Sequence, residues 1–171
     1  MPDRLPEPSE YAPFYAGYVS AAPNGPIVDV LRSQGTDICD FIRGVPEETA
    51  GHRYAEGKWT VAEVLGHVVD TERVFGYRAF HFARGTTGEI PGMDQDVFAA
   101  NAPYQRRSLG SIADEWTWLR ASNAEQYQAF DGEIMSRSGI ASRAAVSVRA
   151  LLHIMAGHAA HHVTVLKERY I

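Results

Sequence analysis

Thr60 can cap a helix N-terminus while Glu63, three residues later, returns a bond to the cap's own backbone. From there Val61, Val64, Leu65, Val68, Phe75, Ala79 and Phe82 hold a 3.6-residue period, with Trp59 placed to pack on Val64 as a staple. A stripe sustained for about 23 residues and ending before Gly85 commits this segment to a long amphipathic helix. Such a helix needs partners of similar length to cover its apolar face.

The rest of the sequence supplies them. Ile27, Val30, Leu31, Ile38, Phe41 and Ile42 make a first helix from Pro26 until Gly44 and Pro46 stop it, weakened by Gly35. Ser108 or Ser111 opens a third, with Leu109, Ile112, Trp116, Leu119, Tyr127 and Phe130 on one face, a polar outer face, and Gly132 at its end. Ser147 opens the fourth, with Val146 and Leu151 at staple positions, and Lys167 and Arg169 suit its negative end near Tyr170. No strand pattern competes, and the stretch around Gly139 reads as irregular. Segment 84–107, broken by Gly85, Gly88, Pro91, Gly92 and Pro103, is too long for a turn between antiparallel neighbours and should cross the bundle or cover a site. The expected fold class is all-α, a four-helix bundle with a long crossover between helices 2 and 3, in a single domain over residues 1–171. Residues 1–24 form an arm in which Pro2, Pro6, Pro8, Pro13 and Pro23 alternate with Tyr11, Phe14, Tyr15 and Tyr18, leaving at most a short helix around Tyr11 to Val19.

Composition narrows the function. The chain has 171 residues, 45% hydrophobic and 22% charged, enough for one real core without disulfides or a structural metal. A formal charge of −5 argues against nucleic acid as a partner. Its apolar runs fall far short of the roughly 20 residues that span a bilayer. The start MPDRLPEPSE lacks a signal-peptide core, so a cytoplasmic protein without a membrane partner is expected. The single Cys39 fits a reducing compartment, excludes a cysteine zinc cage and reads as a small core residue.

Seven histidines are the unusual count, and they cluster in the fourth helix. Leu151, Met155, His158, His162 and Val165 follow one inward stripe, so His158 and His162 lie a turn apart on it, whereas His153 and His161 fall off it and should face solvent or a partner. Imidazoles at i and i+4 can share one metal ion, or can be core histidines held by hydrogen bonds; His67, at the edge of the second helix's apolar face with Val64, Thr71 and Val74, offers a third ligand. A metalloprotease H-E-x-x-H is excluded because Ala159 follows His158. No acid or base is singled out, Asp70, Glu72, Asp94 and Asp96 being the carboxylates available. No phosphate loop, nucleophile elbow or paired-cysteine motif is present.

The run Trp59-Thr-Val-Ala-Glu-Val-Leu-Gly-His67-Val-Val-Asp70-Thr-Glu72-Arg73-Val-Phe-Gly-Tyr-Arg78, the segment Gly92-Met-Asp94-Gln-Asp96 and the closing segment from Val146 to Tyr170 with His158-Ala-Ala-His-His162 resemble the DinB-like superfamily over nearly the whole chain. The resemblance implies an up-down-down-up bundle, commonly a homodimer, that binds a divalent metal ion, zinc or nickel, through His67, His158 and His162. It also implies a small-molecule substrate and, from members that use bacillithiol, mycothiol or glutathione, a thiol-dependent S-transferase with a low-molecular-weight thiol. A metal-dependent hydrolase and a non-catalytic ligand- or partner-binding bundle are the alternatives.

Overall fold

The computed structural model describes residues 4–86 and 88–171, so Pro2 of the arm and Thr87 of the crossover lie outside the described residues. In chain order the elements are α1 (Ala16–Ala21), α2 (Ile27–Gly44), α3 (Val61–Ala83), α4 (Gln95–Asn101), α5 (Leu109–Tyr127), α6 (Gly132–Ser136), β1 (Ser138–Ala141), β2 (Ala144–Ser147) and α7 (Val148–Arg169), with short 3-10 turns between some of them. The four long helices are those the apolar stripes mark. Thr60 Oγ1 accepts from the Glu63 N–H at 3.1 Å and the Glu63 carboxylate accepts from the Thr60 N–H at 2.7 Å, the reciprocal cap that the sequence predicts for α3. Ser108 and Ser147 cap α5 and α7 in the same way, without the returning bond.

Helix α2 lies chiefly along α5 and α3 along α7, and contacts of α3 with α5 and of α2 with α7 close the bundle. One apolar cluster gathers Leu31, Phe75, Phe82, Met135 and Leu151; a second gathers Ile42, Leu65, Trp116 and Leu166. A buried polar network ties all four long helices together. Arg120 of α5 ion-pairs with Glu72 of α3 at 2.9 Å and donates to Gln34 of α2 at 3.2 Å. Gln34 in turn donates to the Ala156 carbonyl of α7 at 2.9 Å. The Arg120 guanidinium also lies over Trp116 at 4.3 Å. Gly35, which weakens α2 as a sequence, makes room for this group, since a Cβ there would sit 3.3 Å from Arg120 Cγ.

The expectation of a bundle free of strands needs correction. Ser138–Ala141 and Ala144–Ser147 pair antiparallel in a small hairpin, with Ser142 at φ 53° and Arg143 at φ 65°, the two consecutive left-handed residues of a tight hairpin turn. Gly139 lets the hairpin press on α3, because a Cβ there would meet the Phe82 ring at 2.1 Å. The crossover is tied to the hairpin: Ile90 N–H donates to Ile140 O at 2.9 Å, and Ser142 N–H donates to Ile90 O at 3.1 Å. Further along, Tyr104 is seated over Gly66, where a Cβ would lie 2.1 Å from the ring, and its hydroxyl donates to Asp70 at 2.8 Å.

The arm packs across its own bundle. Glu10 meets the buried Arg149 of α7 at 2.7 Å, and α1 runs so close to α7 that a Cβ on Gly157 would fall 1.7 Å from the Tyr18 carbonyl oxygen. Cys39 is half-buried beside the second cluster. Among the described residues, no helix is long and apolar enough to cross a membrane.

Candidate metal centre

Two Gly-His steps bring the candidate ligands together. Gly66 lets Tyr104 of the crossover close over α3 and Gly157 lets the arm close over α7, beside His67 and His158 respectively. His67 and His158 are buried and His162 is half-buried, with their ring centroids 4.5 to 5.0 Å apart. One ligating nitrogen from each of the three lies within 4.8 Å of the others, and His67 Nε2 stands 3.0 Å from His158 Nε2. Two nitrogens each bonded to one ion at about 2.0–2.1 Å are separated by about 3 Å, so this spacing suits a shared ion.

Electrostatics favour the same use. Burial lowers His67 to about 4. Burial, then the neighbouring His67 and His161, lower His162 to about 3, and burial together with the other histidines holds His158 well below its usual value. All three rings are therefore neutral at pH 7, the form that ligates a metal. Thr71 Oγ1 lies 3.4 Å from His67 Nδ1, and the Trp59 and Tyr18 rings flank His67 and His158 at 4.9 and 5.2 Å. No carboxylate or thiol joins the three imidazoles among the described residues. Such a donor set fits a divalent ion with coordination positions left for a ligand.

His67 and His158 line a cavity of about 240 Å³. The arm contributes Tyr15 and Tyr18 to its wall, α3 contributes Thr71, Phe75 and Arg78, and the crossover and hairpin contribute Met93 and Ser142. The long crossover thus borders the site, as its length suggests.

The other sequence candidates separate. His161 is exposed, as expected. His153 is not: it is buried, with Nδ1–H donating to Arg149 O at 2.9 Å, because the arm covers a face of α7 that the stripe assigns to solvent. Asp70 is held by Tyr104, Glu72 is buried against Arg120 and Asn123, Asp94 caps α4 and Asp96 is exposed in its first turn. None of these four carboxylates reaches the histidines. Sequence reasoning missed Tyr18 and Arg78 as cavity residues; Tyr18 lies in a segment without period, while Arg78 stands three turns beyond His67 and so on its face.

The fold has a solved counterpart, described as "YfiT from Bacillus subtilis is a probable metal-dependent hydrolase with an unusual four-helix bundle topology". The match has a TM-score of 0.73 at 15% identity and covers 83% of this chain and 82% of that one. No curated protein matches the sequence significantly. A sequence profile of the DinB superfamily matches residues 32–166, which include His67, His158 and His162, and the chain belongs to that superfamily.

Proposed function

We propose that the protein is a metal-dependent enzyme whose centre is formed by His67, His158 and His162, and that it transfers a low-molecular-weight thiol to an electrophilic small molecule. The observation that carries this reading is the grouping of three neutral imidazoles, two of which, His67 and His158, line a cavity whose described lining contains no carboxylate to act as a base. A divalent ion held there, zinc or nickel, supplies a Lewis acid that lowers the pKa of a bound thiol. The chain's own groups then have few tasks. The histidines hold the ion, Tyr15, Tyr18 and Phe75 keep water from the cavity and offer apolar contact to the electrophile, and Thr71 holds the His67 ring in place. A thiol suits a site without a base, because its intrinsic acidity exceeds that of water by many powers of ten.

The printed description of YfiT favours a second reading, hydrolysis. Cobalt(II) protein titrated with bacillithiol, mycothiol, glutathione and cysteine decides between them. Thiolate coordination adds an intense near-ultraviolet band, and conjugation to a chloro-dinitrobenzene that disappears in His162→Ala supports the transferase. Metal-dependent ester or amide cleavage without any thiol, together with an unperturbed cobalt spectrum, would replace it by the hydrolase; no activity and no band would leave a non-catalytic binding bundle. The same family reading carries an up-down-down-up helix order and a homodimer. Light scattering at micromolar concentration should give twice the 18.9 kDa chain mass, and a value near one chain rejects the dimer.

A further inference from the structure

Three arginines are buried among the described residues, Arg78, Arg120 and Arg149. Two have carboxylate partners, Arg120 with Glu72 at 2.9 Å and Arg149 with Glu10 at 2.7 Å. Arg78 is only 2% exposed and has no carboxylate within ion-pair distance among the described residues. Its Nη2 donates to Ser142 Oγ at 3.0 Å and to Pro91 O at 3.2 Å, while its Nε has no partner. Phe75 faces the guanidinium at 5.5 Å, a weak substitute for a counter-ion. A guanidinium cannot shed its proton to escape burial, so an unmatched one is held at a standing disadvantage that an anion would relieve.

The group lines the same cavity as His67 and His158. Along α3 it follows His67 by three turns, and Phe75 stands between Arg78 and the histidines, its ring 5.5 Å from the guanidinium and 6.1 Å from the His158 ring. We propose that Arg78, held by Ser142, is the seat of a carboxylate carried by the small molecule whose other end reaches the histidines. With both Nη2 hydrogens given to Ser142 and Pro91, the guanidinium offers a carboxylate its other terminal nitrogen, Nη1, for a charge-assisted hydrogen bond. The open cleft that adjoins this end of the cavity carries Glu89 and Asp94 against Arg143, a balance of one negative charge that works against more highly charged anions. This deepens the proposed function by naming a feature of its substrate, and the carboxylate belongs to either the thiol or the electrophile.

Metal-free protein is titrated with octanoate and with octanol by ligand-observed NMR, a measurement that contains neither metal nor thiol and so stands apart from the transferase reading. Charge-assisted hydrogen bonds predict that octanoate binds about 10- to 100-fold tighter than octanol. In Arg78→Gln that preference should vanish with octanol binding unchanged. Equal binding of the two by the wild-type protein, which needs no variant, overturns the proposal, as does a preference retained in Arg78→Gln. In the metal-loaded enzyme, a tenfold rise of KM in Arg78→Gln confined to the thiol assigns the carboxylate to the thiol, and one confined to the electrophile assigns it there. Unchanged KM for both overturns a role for the seat in turnover.

Discussion

Replacing Gly157 by alanine should change sign with the presence of the arm. In the interior of a helix, Gly to Ala ordinarily stabilises by about 0.5–1 kcal/mol through the unfolded chain's lost freedom and the better helix propensity. In the full-length protein the new Cβ would sit 1.7 Å from the Tyr18 carbonyl oxygen and 2.6 Å from its carbonyl carbon. Both are backbone atoms, so no rotamer change relieves the clash and α1 must lift from α7. Lifting it loosens the Glu10 to Arg149 ion pair and the edge contact of Tyr18 on His158. Overpacking of this kind costs about 1–3 kcal/mol, which outweighs the ordinary gain and leaves a net loss of up to about 2.5 kcal/mol. For a chain of this length that is a drop in Tm of up to about 10 °C. In a variant lacking residues 1–24 the clash is gone, and Gly157→Ala should stabilise by the ordinary increment. Urea denaturation followed by circular dichroism measures both effects, and limited proteolysis should show earlier cleavage of the arm in the full-length variant. Equal stabilisation in both backgrounds would refute the docking of the arm on α7.

The buried network allows a second prediction. Glu72→Ala leaves Arg120 unmatched and should cost about 3–5 kcal/mol in urea denaturation, most of it recovered in the Glu72→Met, Arg120→Met double variant; a loss under 1 kcal/mol contradicts the pair's role. A third concerns pH. Burial holds His153 below its usual pKa of 6.5, with the adjacent Arg149 charge adding to the effect against the raising influence of its carbonyl. The folded state therefore keeps His153 neutral while the unfolded chain gains a proton, and stability is lost as pH falls through 6.5. One such proton steepens the acid limb by up to about 1.4 kcal/mol per pH unit. Chelator-treated His153→Leu should show a shallower limb between pH 7.5 and 5.5, and identical slopes reject the assignment.

The four long helices were legible because each carries an apolar stripe, and α3, α5 and α7 begin at a side-chain cap as well. The metal candidates were legible for the same reason: i and i+4 place His158 and His162 on one face of α7. His153 was misread because a stripe argument leaves one face of the helix to solvent, whereas α7 is buried on every side from Val148 to Ala159 once the arm is docked. The arm itself has no period, so its contact with Gly157 depends on tertiary approach that local pattern does not encode. The hairpin escaped notice because its turn uses Ser142 and Arg143 in place of the Asn-Gly pair that marks such turns, and its strands are four residues each. The burial of Arg78 depends on the crossover and hairpin, whose Pro91 and Ser142 accept its hydrogen bonds and lie far from it in sequence.

Elemental analysis of protein purified without an affinity tag tests directly whether His67, His158 and His162 hold one divalent metal ion per chain. About one divalent ion per chain is expected in the wild type and in His161→Ala, because three imidazoles from two facing helices form one site and His161 is not among the grouped ligands. The ion should be lost in His158→Ala and in His162→Ala, with the helical circular dichroism retained because the bundle has its own core. Equal metal content in the wild type and in the His67→Ala, His158→Ala double variant would contradict the site.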